Sequence, residues 1–494
     1  MNKELKFQKT AQYSVLFLLG TIPLLFGAVH PVVTGVYTSF ILLTSGGWLL
    51  LNSRQLAGYR LFSIAYILLF LFICWIVISV LPLPLDWIAW LSPARAFYLQ
   101  TANRLAGTDI HSASLGYNTT EAISTAAFLL ALFLYGANLK ILLKTDRTFL
   151  KKLVYVCVGV GLAESVYGIL QAVNPELGVL WLSNITQFKG MARGTIIYKN
   201  QYAAFLNMIW PLAVGIALLH FKSIPRKKHA PSKKIRSGRR NHKRKKSASE
   251  YMTNRRLRGF LFILLASGIM LAVLFSQSRG GIISMSIILS ILVVALPLAL
   301  KNKLLLVGFF LVFTASYGSI IGFTSLFDRF MLIQQGGETR FNIWLSSLPM
   351  LQDHKLVGTG IGSYVLLSSV YLKKFPENIT FDRAHNDYLE FAIEFGLPLA
   401  FFFLGALLIV LFLQIKKIWP YTKKKLTGLP SPAVISLVSA AAIIGFLVHG
   451  TVDFGWRLPA NLQYVTTLFV LLRHGVPISP PPELTEKTTE KLCD

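Results

Sequence analysis

Cysteine is almost missing from this chain of 494 residues. Cys74, Cys157 and Cys493 lie far apart, so neither a disulfide framework nor a cysteine metal site is supported. Charge is also scarce. Only 14% of residues are charged, against roughly 25% in a soluble chain, which excludes an ordinary water-soluble domain. Acids are the scarcer sign, 21 against 49 Lys and Arg, and no close Asp-x-Asp pair is available to hold Mg²⁺ or Mn²⁺ on a phosphate. The first apolar run has no small-residue cleavage site and is followed at once by another, so no cleavable signal peptide is expected. No clear internal repeat is present either, which weighs against a secondary transporter.

Oily runs fill the chain instead. Apolar residues make up 54% of it and the mean hydropathy is +0.58. Runs near 20 apolar residues, each able to cross a roughly 30 Å hydrocarbon core as a helix, recur along the whole length. Twelve are expected, roughly at 12–29, 32–51, 60–81, 121–138, 153–172, 201–221, 259–277, 281–299, 304–325, 396–415, 433–449 and 459–472. The fold class is therefore all-α, a polytopic integral membrane protein with one large outer loop carrying short helices.

Charge orients the spans. With the N-terminus inside, 36 of the 49 basic residues fall on the inner side, as the positive-inside rule requires, and an even number of spans puts both termini there. The chain then divides into five N-terminal spans with two moderate outer loops (1–190), a sixth span with Arg193 (191–221) and a basic inner loop (222–258). Spans seven to nine (259–323), a large outer loop (324–395), the last three spans (396–472) and an inner tail (473–494) follow. Most of the net charge of +28 sits in the basic loop, which reads as an unstructured orientation anchor beside anionic lipid. It lacks aromatic interleaving, so nucleic acid is not an expected partner.

Chemistry is expected in the outer segments. In "RAHNDYLEFAIEFGLP" (383–398), Asp382 can cap a helix that starts near Ala384 and ends at Gly396 and Pro398. That puts His385 beside Arg383 in a first turn, where free N–H groups favour an anion. Asp387, Glu390 and Glu394 would then form a solvated face. "GGETRFNIW" suggests a turn at Gly336-Gly337, a cap at Thr339 and an amphipathic helix carrying Arg340. "VGTGIGSY" lacks the flanking strand and helix of a phosphate loop, so Gly358, Gly360 and Gly362 read as a turn. Further cations stand at outer span ends: Arg193 and Lys199 before span six, and Arg279 between spans seven and eight. His449, Asp453 and Arg457 lie between the last two spans. Arginines there can snorkel, but ionisable groups beside spans are functional candidates by default.

The stretches "RGTIIYKNQYAAFLNMIWPL" (193–212), "SQSRGG" (276–281), "TRFNIW" (339–344) leading into "GTGIGSY", "AHNDYLEFAIEFGLP" (384–398) and "VDFGWRLPAN" (452–461) together resemble the O-antigen ligase and O-antigen polymerase superfamily of bacterial membrane glycosyltransferases. The resemblance spans roughly residues 190–472; the first five spans match in hydropathy only. It implies an inner-membrane enzyme with a periplasmic site that moves a glycan from undecaprenyl diphosphate to a hydroxyl on lipid A core or on another glycan. It gives diphosphate-binding roles to Arg193, Arg279 and Arg340, and the role of base or positioner for the acceptor hydroxyl to His385. Arg383, Asn386, Lys199, Asp453 and Arg457 would support them, with Asn200 beside Lys199; "TIIYKN" departs from the family's asparagine-rich form. Arginine suits a departing diphosphate, being permanently charged and bidentate. No metal and no cofactor is expected. Ligase and polymerase both stay open, the second with a chain-length regulator as partner. Transfer to protein and a non-enzymatic flippase or transporter of an anionic lipid are the alternatives.

Overall fold

A computed structural model of the chain describes residues 3–52, 64–182, 188–222, 238–321, 333–376, 381–424, 426 and 429–475. Helices dominate them. In order they are α1 (Lys3–Thr21), α2 (Pro31–Leu51), α3 (Ile64–Val80), α4 (Leu85–Leu91), α5 (Pro93–Ala106), α6 (Thr119–Thr145), α7 (Phe149–Val173), α8 (Lys199–Phe221) and α9 (Gly238–Phe275). They continue with α10 (Arg279–Ala295), α11 (Leu300–Ile321), α12 (Ile333–Asp353), α13 (Tyr364–Tyr371), α14 (Asp387–Phe395), α15 (Leu397–Thr422), α16 (Ser431–His449) and α17 (Pro459–His474). Two strand stubs, β1 (Leu83–Pro84) and β2 (Ser112–Ala113), pair antiparallel.

A helix occupies each of the twelve apolar segments. By length and apolarity, seven helices among the described residues can cross a membrane: α2, α6, α7, α8, the Thr253–Phe275 part of α9, α15 and α16. The helices α3 and α10 are apolar but shorter, 17 residues each. The protein is a polytopic helical membrane protein.

Its centre is α8, buried without interruption from Asn200 to Leu218. A helix apolar on every side must be enclosed, and α7, α9, α10, α16 and α17 surround it. Its polar residues are used internally. Asn207 donates to the Gly281 carbonyl at 2.8 Å and accepts from Trp210 Nε1 at 3.1 Å. Gly281 permits this approach, since a Cβ there would meet Ala203 Cβ at 2.6 Å. By contrast α15 leaves Phe401, Leu408 and Phe412 exposed, as a helix facing lipid does.

Three expectations need correction. The basic loop is not wholly unstructured: α9 begins at Gly238, because Lys and Arg are good helix formers that prolong the span. Residues 223–237 lie outside the described residues. Secondly, α12 begins at Ile333 and runs through Gly336 and Gly337, so Thr339 is not its cap. Two glycines cost a helix only about 1 kcal/mol each. Buried Ile343 and Met350 anchor α12 beside Tyr364, Leu367, Ala384 and Ile393, while Phe341, Leu345 and Leu348 stay exposed. Lastly, α14 starts at Asp387 rather than near Ala384. Asn386 is its cap and accepts from the Tyr388 and Leu389 amides at 3.0 and 3.1 Å. This leaves His385 outside the helix.

Candidate active site

Several sequence-distant turns meet at one end of the bundle. The turn carrying Arg193 is pinned by α7: the Thr195 amide and hydroxyl reach Glu164 at 2.8 and 2.6 Å, and Gln171 accepts from the Arg193 amide at 3.3 Å. It is joined to the end of α9, where the Ala192 amide donates to the Phe275 carbonyl at 2.9 Å and Lys199 Nζ to the Gln277 carbonyl at 3.3 Å. Ser278 caps α10 by accepting from the Gly281 amide at 3.1 Å, which places Arg279 at the helix start. Gly280 lies against the turn after α16, since a Cβ there would meet Val452 at 2.9 Å and the His449 ring at 3.6 Å.

His385 faces that same turn. Its backbone is left-handed, φ +53°, which an L-residue other than Gly holds at a cost of about 1–2 kcal/mol. The backbone on both sides is clamped to keep it there. The Ala384 carbonyl accepts from Trp344 Nε1 at 2.9 Å, and its amide donates to Glu390 Oε2 at 3.1 Å. On the other side the Asp387 amide is shared between the Gly450 and Asp453 carbonyls, at 2.8 and 3.1 Å. Strain held by surrounding bonds is a mark of functional positions.

The imidazole sits in an aromatic cradle. Phe454 meets its edge at 5.0 Å between centroids and stacks on Tyr198 at 4.8 Å; Tyr198 is itself 6.4 Å from the histidine. Nδ1 lies 3.8 Å from Asp453 Oδ1, an ion-pair distance rather than a hydrogen bond. Asp453 Oδ2 meets Arg340 Nη2 at 3.3 Å, and Arg340 Nη1 donates to the Val452 carbonyl at 2.7 Å. Burial acts to raise the Asp453 carboxyl, but the nearby His385, His449 and Arg340 outweigh it and hold the group below its ordinary value. Asp453 is thus an anion between a histidine and an arginine. Asn200 Nδ2 donates to the Tyr198 hydroxyl at 2.7 Å.

The carboxylates of α14 do not form the expected solvated face; all three are buried. Asp387 accepts from the Gly455 amide at 2.9 Å, and burial followed by the charge of Glu390 pushes its carboxyl well up. Glu390 pairs with Arg383 and Arg457, each at 3.2 Å, and Glu394 pairs with Arg457. The glycine loop is a turn, as its composition implies. Its amides cap the end of α14, with Thr359 donating to the Ile393 carbonyl, Gly360 to the Glu394 carbonyl and Gly362 to Glu394 Oε1, at 2.8–3.0 Å.

Beside these groups lies a cavity of about 770 Å³. His385, Arg383, Arg457, Glu390, Tyr198 and Phe454 line one wall. The opposite wall comes from the N-terminal helices through Phe26, Thr34, Glu121, Ser124, Thr125 and Phe128. Sequence reasoning missed the second wall, and missed Tyr198 and Phe454 beside the histidine. Of the expected residues, the structure brings His385, Asp453 and Arg340 into one cluster. Arg383 and Arg457 line the cavity as partners of glutamates. Arg193, Lys199 and Arg279 sit on the adjoining turns and do not line it. Among the described residues no group of three or more His, Cys, Asp and Glu side chains could hold a metal ion.

Residues 260–404 match the family model described as O-antigen ligase, which supports the likeness to the O-antigen ligase and polymerase superfamily over that stretch. No curated protein matches it. The matched stretch holds Arg279, Arg340, Arg383, His385 and Asn386, and excludes Arg193, Lys199, Asp453 and Arg457.

Proposed function

We propose that this protein is a glycosyltransferase of the O-antigen ligase or polymerase type. It would move a glycan from undecaprenyl diphosphate to an acceptor hydroxyl on the periplasmic face of the bacterial inner membrane. The observation that carries this reading is His385, held in a strained backbone on the wall of the cavity with Nδ1 toward an ionised Asp453. An anion on that side favours the tautomer with its proton on Nδ1, which leaves the Nε2 lone pair to accept a hydroxyl proton. Arg340, fixed by Asp453 and the Val452 carbonyl, brings permanent positive charge to the same cluster. Arg193, Arg279 and Lys199, on turns joined to each other, would add the rest of the charge that balances the departing diphosphate.

A second, apolar cavity of about 340 Å³ supports a lipid-linked donor. It runs between α3, α6, α15 and α17 and shares Phe72, Leu129, Phe391, Trp456 and Leu462 with the first. A polyprenyl tail suits such a groove, with its diphosphate head toward His385.

Transfer from lipid-linked glycan by the purified protein in nanodiscs tests the reading. His385→Ala and Arg279→Ala should each lose about 100-fold or more in turnover while keeping their thermal transitions. His385→Asn is the second variant, because Asn tolerates a left-handed backbone, and it should be equally inactive. Arg279→Lys should recover little, lacking the planar fork. Activity should survive EDTA. A fully active His385→Asn removes the histidine from the chemistry, and chelator-sensitive activity restored by Mg²⁺ overturns the metal-free part.

A further inference from the structure

The hairpin of α4 and α5 takes no part in the chemistry above, yet it carries an unusual surface. Trp87 and Trp90 are 63% and 78% exposed, and Phe97 and Leu105 are also open. Three residues apart, the two tryptophans share one helix face. The opposite face is committed: Ile88 and Ala96 are buried with Leu115 against Val357. The hairpin therefore has a packed side and a greasy side.

Its place in the chain says what covers the greasy side. It begins five residues after the apolar helix α3, so it cannot stand more than about 17 Å from the end of that helix. Through residues 107–118, which include β2, it returns into α6, which is long and apolar enough to cross a membrane. The β1–β2 pair and the bond from the Gly116 amide to the Ser79 carbonyl, at 3.0 Å, hold its base against the end of α3. Tryptophan is enriched where hydrocarbon gives way to headgroups.

The packed side leads to the cavity wall. The Tyr117 amide donates to the Thr359 carbonyl and Asn118 Nδ2 to the Gly362 carbonyl, each at 3.0 Å. Gly360 lies so close to Gly116 that a Cβ would meet Gly116 Cα at 2.5 Å. The same glycine loop holds Glu394, and Glu394 holds Arg457.

We propose that the α4–α5 hairpin is an interfacial lipid anchor, seated by Trp87, Trp90, Phe97 and Leu105 in the headgroup–acyl boundary on the face of the membrane that carries His385. Through the glycine loop it fixes the level of the Arg457 wall relative to that boundary. Neither statement depends on the reaction catalysed.

The test uses the full chain in nanodiscs and the difference in tryptophan fluorescence between wild type and Trp87→Phe/Trp90→Phe. That difference should be quenched most by lipids brominated near the headgroup, less by lipids brominated near the chain ends, and little by iodide. Strong iodide quenching without bromolipid quenching would place the hairpin in water. Shielding that develops only on adding membrane extract would make it a protein-docking surface. Either result overturns the anchor. For the coupling, amide exchange at residues 358–362 should quicken in Trp87→Ser/Trp90→Ser, and unchanged protection there overturns it.

Discussion

Replacing Arg457 by Gln strips one cation from two buried carboxylates. Glu390 keeps Arg383 at 3.2 Å and the Ala384 amide at 3.1 Å, whereas Glu394 keeps only the Gly362 amide, at 2.8 Å. The loss therefore falls on Glu394. Breaking a buried pair from one side costs about 3–5 kcal/mol. The retained amide bond argues for the lower end, about 3 kcal/mol once Glu394 is ionised both with and without the arginine. Burial already pushes Glu394 up to about 7 against the opposing pull of Arg457, and without the arginine it rises further. A carboxyl raised by folding holds more protons folded than unfolded, so its contribution to stability falls as pH rises through that interval. The deficit of Arg457→Gln should stay small up to about pH 7, while Glu394 is protonated in both proteins, and grow above it. Denaturant unfolding of the detergent-purified protein from about pH 5 to about pH 9 measures it. Adding Glu394→Gln should return most of the loss, because a neutral amide needs no counter-ion. A deficit that stays below about 1 kcal/mol well above pH 7, or one unchanged by Glu394→Gln, would refute the reasoning.

Burial, with the Arg95 charge acting the same way and Asp353 opposing, pushes His354 down to about 4. As pH falls from about 6.5 to 4 the unfolded imidazole takes a proton that the folded one refuses, so about 2–3 kcal/mol should be lost, and His354→Gln should flatten that acid limb of the unfolding curve. Gly358→Ala combines a φ of +75° with a Cβ 2.3 Å from the Glu394 carbonyl and should lose at least about 2 kcal/mol in the same unfolding assay. Gly107→Ala, at φ +63° with nothing within 4 Å, should lose only about 1 kcal/mol. Reporter fusions after Lys246 should read cytoplasmic and fusions at Glu377 external, and identical readings would remove the periplasmic assignment.

Hydropathy placed the membrane helices because a segment of 17 to 27 residues carries its own signal, independent of its neighbours. The start of α14 was harder. Asp382 and Asn386 are both good caps, and the choice was made by a distant turn, where the Gly450 and Asp453 carbonyls take the Asp387 amide. Glu390 and Glu394 read as solvated because acids one turn apart on a short helix usually are. The arginine that buries them is 67 and 63 residues further on, and no local pattern announces it. His385 and Asp453 were legible as ionisable groups beside spans. The aromatic cradle of Tyr198 and Phe454 was not, since an aromatic residue in a chain with 35 Phe and 18 Tyr carries no signal of its own.

The placement of Asp453 in the turn between α16 and α17 has a consequence for biosynthesis. A ribosome-bound chain that has emerged only as far as α16 already contains Tyr198, Arg340 and His385. It lacks the carboxylate that orients the imidazole, the carbonyl that receives Arg340 and the ring that stacks on Tyr198, all of which lie between residues 452 and 454. The cluster around His385 therefore cannot close until the turn between α16 and α17 has been made and has folded against it. Completion of the C-terminal helix pair is then the step that matures the cluster, whatever the cluster acts on.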